Sequence, residues 1–130
     1  MVVNENISDR RVLITGCCGT IGQELVRQLL EGYRVKELVG MDNNESELLF
    51  LEQSFAQYSN ARFALGDVRD RDKLSGRMRD VDVVFHTAAF KHVILCERSP
   101  FEAVQTNILG VQNVIRAAYE NNLRLFNIFY

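Results

Sequence analysis

An apolar run that breaks into evenly spaced glycines constrains this chain more than any other stretch: Arg11 to Gly22 reads RVLITGCCGTIG. Val12, Leu13 and Ile14 are continuously apolar, which suits a strand covered on both faces in a parallel sheet. Gly16, Gly19 and Gly22 follow with the spacing G-x-x-G-x-x-G. Glycine serves such a turn in three ways. It permits a tight exit from the strand, brings backbone close enough to touch a pyrophosphate, and leaves no side chain where the next helix presses on the sheet. That helix is predicted from Thr20 to about Glu31, with Ile21, Leu25, Leu29 and Leu30 as its core-facing stripe. Its free N–H groups and positive dipole end form an anion site made of backbone.

The context sharpens the reading. A second strand is predicted from about Val35 to Met41, ending at Asp42, which lies 20 residues beyond Gly22. An acid at that distance can accept hydrogen bonds from the adenosine ribose hydroxyls, although a cap or turn role also fits. A carboxylate there repels a 2′-phosphate, and neither Cys17 nor Cys18 offers a positive charge, so NAD is favoured over NADP as the cofactor.

The remaining chain alternates in the same way. Asn44 with Glu47 resembles a capping box opening a helix from about Glu45 to Tyr58, with Leu48, Leu51 and Phe55 buried and Leu49 and Phe50 flanking. Arg62 to Gly66 reads as the third strand. Asp67 and Val68 then sit where an adenine would lie, with Asp67 either accepting from the adenine amino group or capping the helix from Asp70 to about Met78. Val81 to His86 is the fourth strand, and it runs into Thr87-Ala88-Ala89, small residues at the carboxyl end of a central strand, where open α/β sheets bind ligands. Packing alone also accounts for two alanines. Ser99, Pro100 and Glu102 start a helix predicted to run to about Asn121, with the apolar Val104, Ile108, Val111 and Ile115 on one side and Gly110 against a close neighbour. Leu123 to Phe129 is the fifth strand. The expected fold is therefore α/β, a Rossmann-type doubly wound parallel sheet of five strands in order 3-2-1-4-5, truncated after the fifth.

Composition bounds the rest. A chain of 130 residues with 47% hydrophobic content is one domain with room for a core. Residues 1–9 read as a flexible lead-in and 10–130 as the dinucleotide-binding domain. A net charge of −2 gives no electrostatic case for nucleic acid or an acidic membrane surface. No membrane span or signal peptide is apparent, so a cytoplasmic protein is expected. Three cysteines, two of them adjacent, argue against a disulfide framework. Cys17 and Cys18 could form a redox or metal site, but His86 and His92 show no ligand spacing with them. Small side chains in a tight turn are the simpler reading, and no metal is expected. Cys96 reads as an ordinary buried thiol, His86 as a strand-end residue with a satisfied ring, and His92 as loop packing.

The segments TGCCGTIG, Asp42, GDVRD and VVFHTAAFKHVILCERSPFEAVQTNILGVQNVI resemble the N-terminal half of the extended short-chain dehydrogenase/reductase superfamily. Within it they are most similar to the polysaccharide-biosynthesis (CapD-like) branch of nucleotide-sugar 4,6-dehydratases and epimerases. That resemblance covers about Arg11 to Asn127, and AAFKHV with the later run is its narrowest part. It implies NAD or NADP, a UDP-sugar oxidised at C4, and return of the hydride after dehydration or epimerisation. It places pyrophosphate at Gly16, Gly19, Thr20, Ile21 and Gly22, with Cys18 among the cofactor-binding residues, and adenosine ribose at Asp42, Asn43 and Asn44. Adenine falls at Asp67 and Val68, and nicotinamide ribose at Ala88, Ala89 and Lys91. Lys91 faces the cofactor cleft or, alternatively, solvent; Asn107 has a structural or a site role.

The departure from the family concerns catalysis. Its acid–base residues lie later, in a Ser/Thr-Asp-Lys segment and a Tyr-x-x-x-Lys pair, and Tyr130 has no lysine four residues on. The chain thus reads as a cofactor-binding fragment, inactive alone and with no catalytic residues of its own. Two other readings stand beside it: a stand-alone dinucleotide-sensing or interaction module, and a fragment of a UDP-hexose 4-epimerase. The uncovered fifth strand and the long last helix lead us to expect a homo-oligomer.

Overall fold

The structure, a computed structural model, describes the backbone of residues 7–88, 100–123 and 125–128, and the side chains of these except at 103–106 and 125–128. Ala89, Lys91, His92, Cys96, Ser99 and Tyr130, singled out from the sequence, lie outside the described residues.

The strands are β1 (Arg11–Thr15), β2 (Glu37–Asp42), β3 (Ala61–Leu65), β4 (Val83–His86) and β5 (Leu125–Ile128). They form one sheet in the order β3-β2-β1-β4-β5, every pair parallel. Between them run α1 (Thr20–Gly32), α2 (Glu45–Ser54), α3 (Arg71–Arg77), α4 (Pro100–Val104), a π-helical segment (Gln105–Leu109) and α5 (Gly110–Glu120). The expected class and strand order therefore hold.

Each central strand alternates between two cores, as a sheet with helices on both faces requires. Val12, Ile14, Val83 and Phe85 join Val26, Leu29, Leu30, Leu48 and Leu51 on the α1/α2 side. Leu13 and Val84 join Leu74, Met78, Val114, Ala117 and Ala118 on the α3/α5 side. The register sets Thr15 beside Met41 of β2 and His86 of β4, so the carboxyl ends of these strands finish level. That row is where the glycine loop leaves the sheet.

Several expectations need correction. The lead-in does not stay frayed through Asp9: Ile7 is buried in the α1/α2 core, and the Asp9 N–H donates to the Arg34 carbonyl at 2.6 Å. In α1 the buried stripe is Gly22, Val26, Leu29 and Leu30, with Ile21 and Leu25 only half-buried. α2 ends at Ser54, short of Tyr58, and Phe55 is half-buried outside it. Leu48 and Leu51 are buried, while Leu49 and Phe50 face solvent.

The largest miss concerns the last helix. Its core face is Gly110, Val114, Ala117 and Ala118, whereas Ile108 and Ile115 are exposed and Val111 is half-buried. The side chain of Val104 lies outside the described ones. The real face sits one residue, about 100°, round from the expected one. Two causes combine: the π segment interrupts the 3.6-residue period, and close approach to the sheet selects small side chains over larger apolar ones.

Candidate functional site

The loop from Gly16 to Gly19 is fixed by backbone. The Gly16 and Cys17 N–H groups both donate to the Met41 carbonyl at 2.8 and 3.2 Å, and the Gly19 N–H donates to the Gly16 carbonyl at 3.1 Å. Gly16 has φ +73°, and a Cβ there would lie 2.5 Å from the Ala88 nitrogen. At Gly22 a Cβ would lie 2.1 Å from the Gly16 carbonyl oxygen. Two of the three glycines are thus demanded by turn and helix contact. Gly19 is different, with only an ordinary 3.4 Å contact, and its open side faces outward.

Gly19 is the N-cap of α1, with no side chain capping the first turn and no acidic residue in it. The amides of Thr20, Ile21 and Gly22 therefore start a 13-residue helix with their positive end uncompensated. This is the arrangement expected of an anion cradle.

Asp42 stands next to the loop. Its Oδ2 accepts from the Cys18 N–H and its Oδ1 from the Asn44 N–H, both at 3.0 Å. The carboxylate thereby ties the end of β2 to the glycine turn and remains half-buried at the mouth. Asn44, in turn, caps α2 by accepting from the Glu47 N–H at 3.1 Å. The ribose and turn roles expected for Asp42 are compatible, because a carboxylate has more lone pairs than these two contacts use.

Asp67 does not cap the following helix; Asp70 does, accepting from the Lys73 N–H at 3.2 Å. Asp67 is instead gripped by Arg69, through its N–H at 2.9 Å and its Nε at 3.0 Å, and this holds the Asp67 carboxyl below the usual carboxylate range. Arg69 also pairs with Glu102 of α4. Val68 is buried, with its carbonyl accepting from Asn113 of α5 at 3.0 Å. Loop and last helix are therefore clamped together just beyond the end of β3.

Sequence reasoning missed the latch beneath the loop. Thr87 Oγ1 donates to the Thr15 carbonyl at 2.7 Å and lies 3.0 Å from the Gly16 carbonyl. Thr15 Oγ1 and His86 Nδ1 are 2.6 Å apart, and all three side chains are buried. The available signal was polar side chains at the ends of two apolar strands. His86 is only half satisfied: its Nε2 is buried with no partner among the described residues.

Burial lowers the His86 pKa to about 4. The unfolded chain, with an ordinary value near 6.5, takes up this proton first, so the stabilisation is complete above about pH 6.5 and is lost as pH falls toward 4. Urea titrations should show the unfolding free energy dropping by about 2 kcal/mol from this group between pH 7 and pH 5. His86→Gln should flatten that drop, and an unchanged slope would remove His86 as its cause. Cys17 and Cys18 are both buried beside each other, and burial is the main cause raising both thiols, Cys18 to about 12. Both are uncharged thiols near neutral pH.

The sequence profile described as "Polysaccharide biosynthesis protein" matches residues 12–128, from β1 through β5. The chain belongs to this family. Among its relatives are the UDP-N-acetylglucosamine 4,6-dehydratase (inverting) of Campylobacter jejuni, 43% identical over 116 residues, and a UDP-glucose 4-epimerase of Rickettsia bellii, 37% identical over 117. Each match covers 88% of this chain and 34% of the relative. The dTDP-glucose 4,6-dehydratase DesIV of Streptomyces venezuelae, solved with NAD bound, superposes with a TM-score of 0.79 at 30% identity, over 89% of this chain and 38% of that one. The chain thus spans about a third of the length of the family members it matches. Among the described residues no helix is long and apolar enough to cross a membrane.

Proposed function

We propose that residues 10–130 are the NAD-binding portion of a UDP-sugar 4,6-dehydratase or epimerase of surface-polysaccharide biosynthesis. The observation that carries this is the pairing of an uncapped helix N-terminus with a carboxylate fixed beside it: α1 behind its glycine loop, and Asp42 held by the Cys18 N–H. The backbone fits the group, since Gly16 and Gly22 admit no side chain and the first-turn amides have no internal cap. The dinucleotide supplies hydride exchange with the sugar. The protein supplies amides for pyrophosphate at Gly19 to Gly22, a carboxylate for ribose at Asp42, and a wall of small residues reaching Ala88. Relatives named as UDP-sugar dehydratases and epimerases, and a structural neighbour carrying NAD, support the reading.

The adenine-side residues Asp67 and Val68, with Asn43 and Asn44, complete the proposed pocket. No tyrosine in the sequence has a lysine four residues on. The 130-residue chain alone is therefore expected to bind NAD without turning over UDP-N-acetylglucosamine. Calorimetric titration with NAD and NADP checks the first half, and product analysis after incubation with NAD and the sugar nucleotide checks the second. Saturable NAD binding with at least tenfold weaker NADP binding, a difference of about 1.4 kcal/mol, is the expected result. Equal affinity for the two would overturn the role of Asp42, and turnover would overturn the inactivity.

A further inference from the structure

The glycine turn carries a feature that a phosphate cradle does not need. Cys17, Cys18 and Asp42 each offer a donor atom, and all three donors lie within 4.8 Å of one another. Adjacent residues normally send their side chains apart. Here the turn folds both sulfurs toward the end of β2, where Gly40 leaves room: a Cβ on Gly40 would sit 2.9 Å from the Cys17 sulfur. Asp42 arrives from the same strand two residues later, anchored by the Cys18 N–H. No lysine or arginine pairs with Asp42 among the described residues, so its charge is not neutralised by the protein.

We propose that Cys17, Cys18 and Asp42 form a site for a thiophilic divalent cation of the zinc–cadmium type, and that its occupation excludes the dinucleotide. Two sulfurs and one carboxylate oxygen are donors such ions prefer, with a fourth position left to water. Tetrahedral zinc, with bonds of about 2.3 Å to sulfur and 2.0–2.2 Å to oxygen, needs its donors roughly 3.5–3.8 Å apart. Side-chain rotation of about an ångström closes the present set to that spacing. Each thiol releases its proton to solvent as the metal–sulfur bond forms, and the cation's charge replaces the protons. Entry is through a cavity of about 340 Å³ lined by Cys18, Thr20, Gln23, Glu24, Arg27 and Phe55. The exclusion, though not the metal site, rests on the dinucleotide reading: an Asp42 oxygen bound to metal is withdrawn from the ribose, and Cys18 is pulled away from the cradle.

Cadmium is the direct probe, because thiolate ligation produces an ultraviolet charge-transfer band. Adding cadmium chloride to the metal-free chain, without dinucleotide, should develop this band to one equivalent. Cys17→Ala should abolish it while the variant still melts cooperatively. Asp42→Asn should keep two sulfurs yet weaken cadmium binding by about tenfold or more, since even an outer-shell partner is worth 10–100-fold. A band that never develops, or that survives in Cys17→Ala, overturns the site. In the second arm NAD is titrated with and without cadmium. Strict competition raises the apparent Kd for NAD about elevenfold when free cadmium is ten times its own Kd. An unshifted NAD affinity overturns the exclusion. Failure of NAD to bind the metal-free chain overturns the dinucleotide reading and the exclusion together, while the cadmium band still decides the metal site.

Discussion

Gly22→Ala is expected to destabilise the chain by at least about 3 kcal/mol and to eliminate measurable NAD binding. The added Cβ would stand 2.1 Å from the Gly16 carbonyl oxygen and 2.7 Å from the Cys17 Cα. Both obstacles are backbone, so no rotamer change relieves them. Either α1 moves off the sheet, uncovering Val26 and Leu29, or the turn opens and its amides lose their common aim. Overpacking normally costs 1–3 kcal/mol, and the rigidity of both partners puts this case at the top of that range or above. Gly76→Ala is the matched control, since nothing lies within 4 Å of its Cβ position and the residue sits within α3. Helix propensity predicts that this variant gains about 0.5–1 kcal/mol. Urea midpoints for the pair settle the matter. A Gly22→Ala chain as stable as the parent would mean that loop and helix are not packed as described.

Asp42→Ala should reduce NAD affinity by about 10–150-fold, the range of 1.5–3 kcal/mol assigned to hydrogen bonds with a charged partner. NADP should lose far less, because removing the carboxylate also removes its repulsion of a 2′-phosphate. The preference between the two dinucleotides should therefore collapse toward unity. A second effect accompanies this one: the N–H groups of Cys18 and Asn44 lose their acceptor. Asp42→Asn separates the two contributions, because the amide oxygen still accepts from one N–H while the charge is gone. If Asp42→Asn retained the parent's preference for NAD, discrimination would lie elsewhere. If both variants bound NAD as the parent does, the ribose contact would be disproved. Paired calorimetric titrations of the three proteins provide the comparison.

Much of this architecture was legible in the residues because its causes are local. Val12 to Ile14 suits a doubly covered strand, and the glycine spacing announces a turn that has to approach something closely. Asn44 and Glu47 announce a helix start, and the structure has the cap bond between them. What escaped was set by partners distant in sequence. Arg69 and Glu102 draw Asp67 into an ionic cluster across 33 positions, so a carboxylate that might have capped a helix does not. Ile108 and Ile115 read as core by their size, yet the sheet accepted Gly110 and Ala117. The Asp42 carboxylate reaches the two thiols only because β1 and β2 pair in register, which no spacing rule along the chain reveals.

The latch under the loop sets a timetable for the site. Thr15 is joined to His86, and Thr87 to the Thr15 and Gly16 carbonyls, across 71 or 72 positions, and Gly16 cannot carry a side chain because Ala88 occupies that space. The glycine turn is encoded in a dozen consecutive residues and tied to the Met41 carbonyl of β2, but the latch beneath it belongs to contacts that exist only once β4 has docked. Closing a connection of that length is entropically slow compared with winding α1. During synthesis, a chain that has emerged only as far as α2 therefore possesses the glycine motif without the latch beneath it. The latch is expected to close late, when the ribosome has released Thr87 and the sheet has found its central pair.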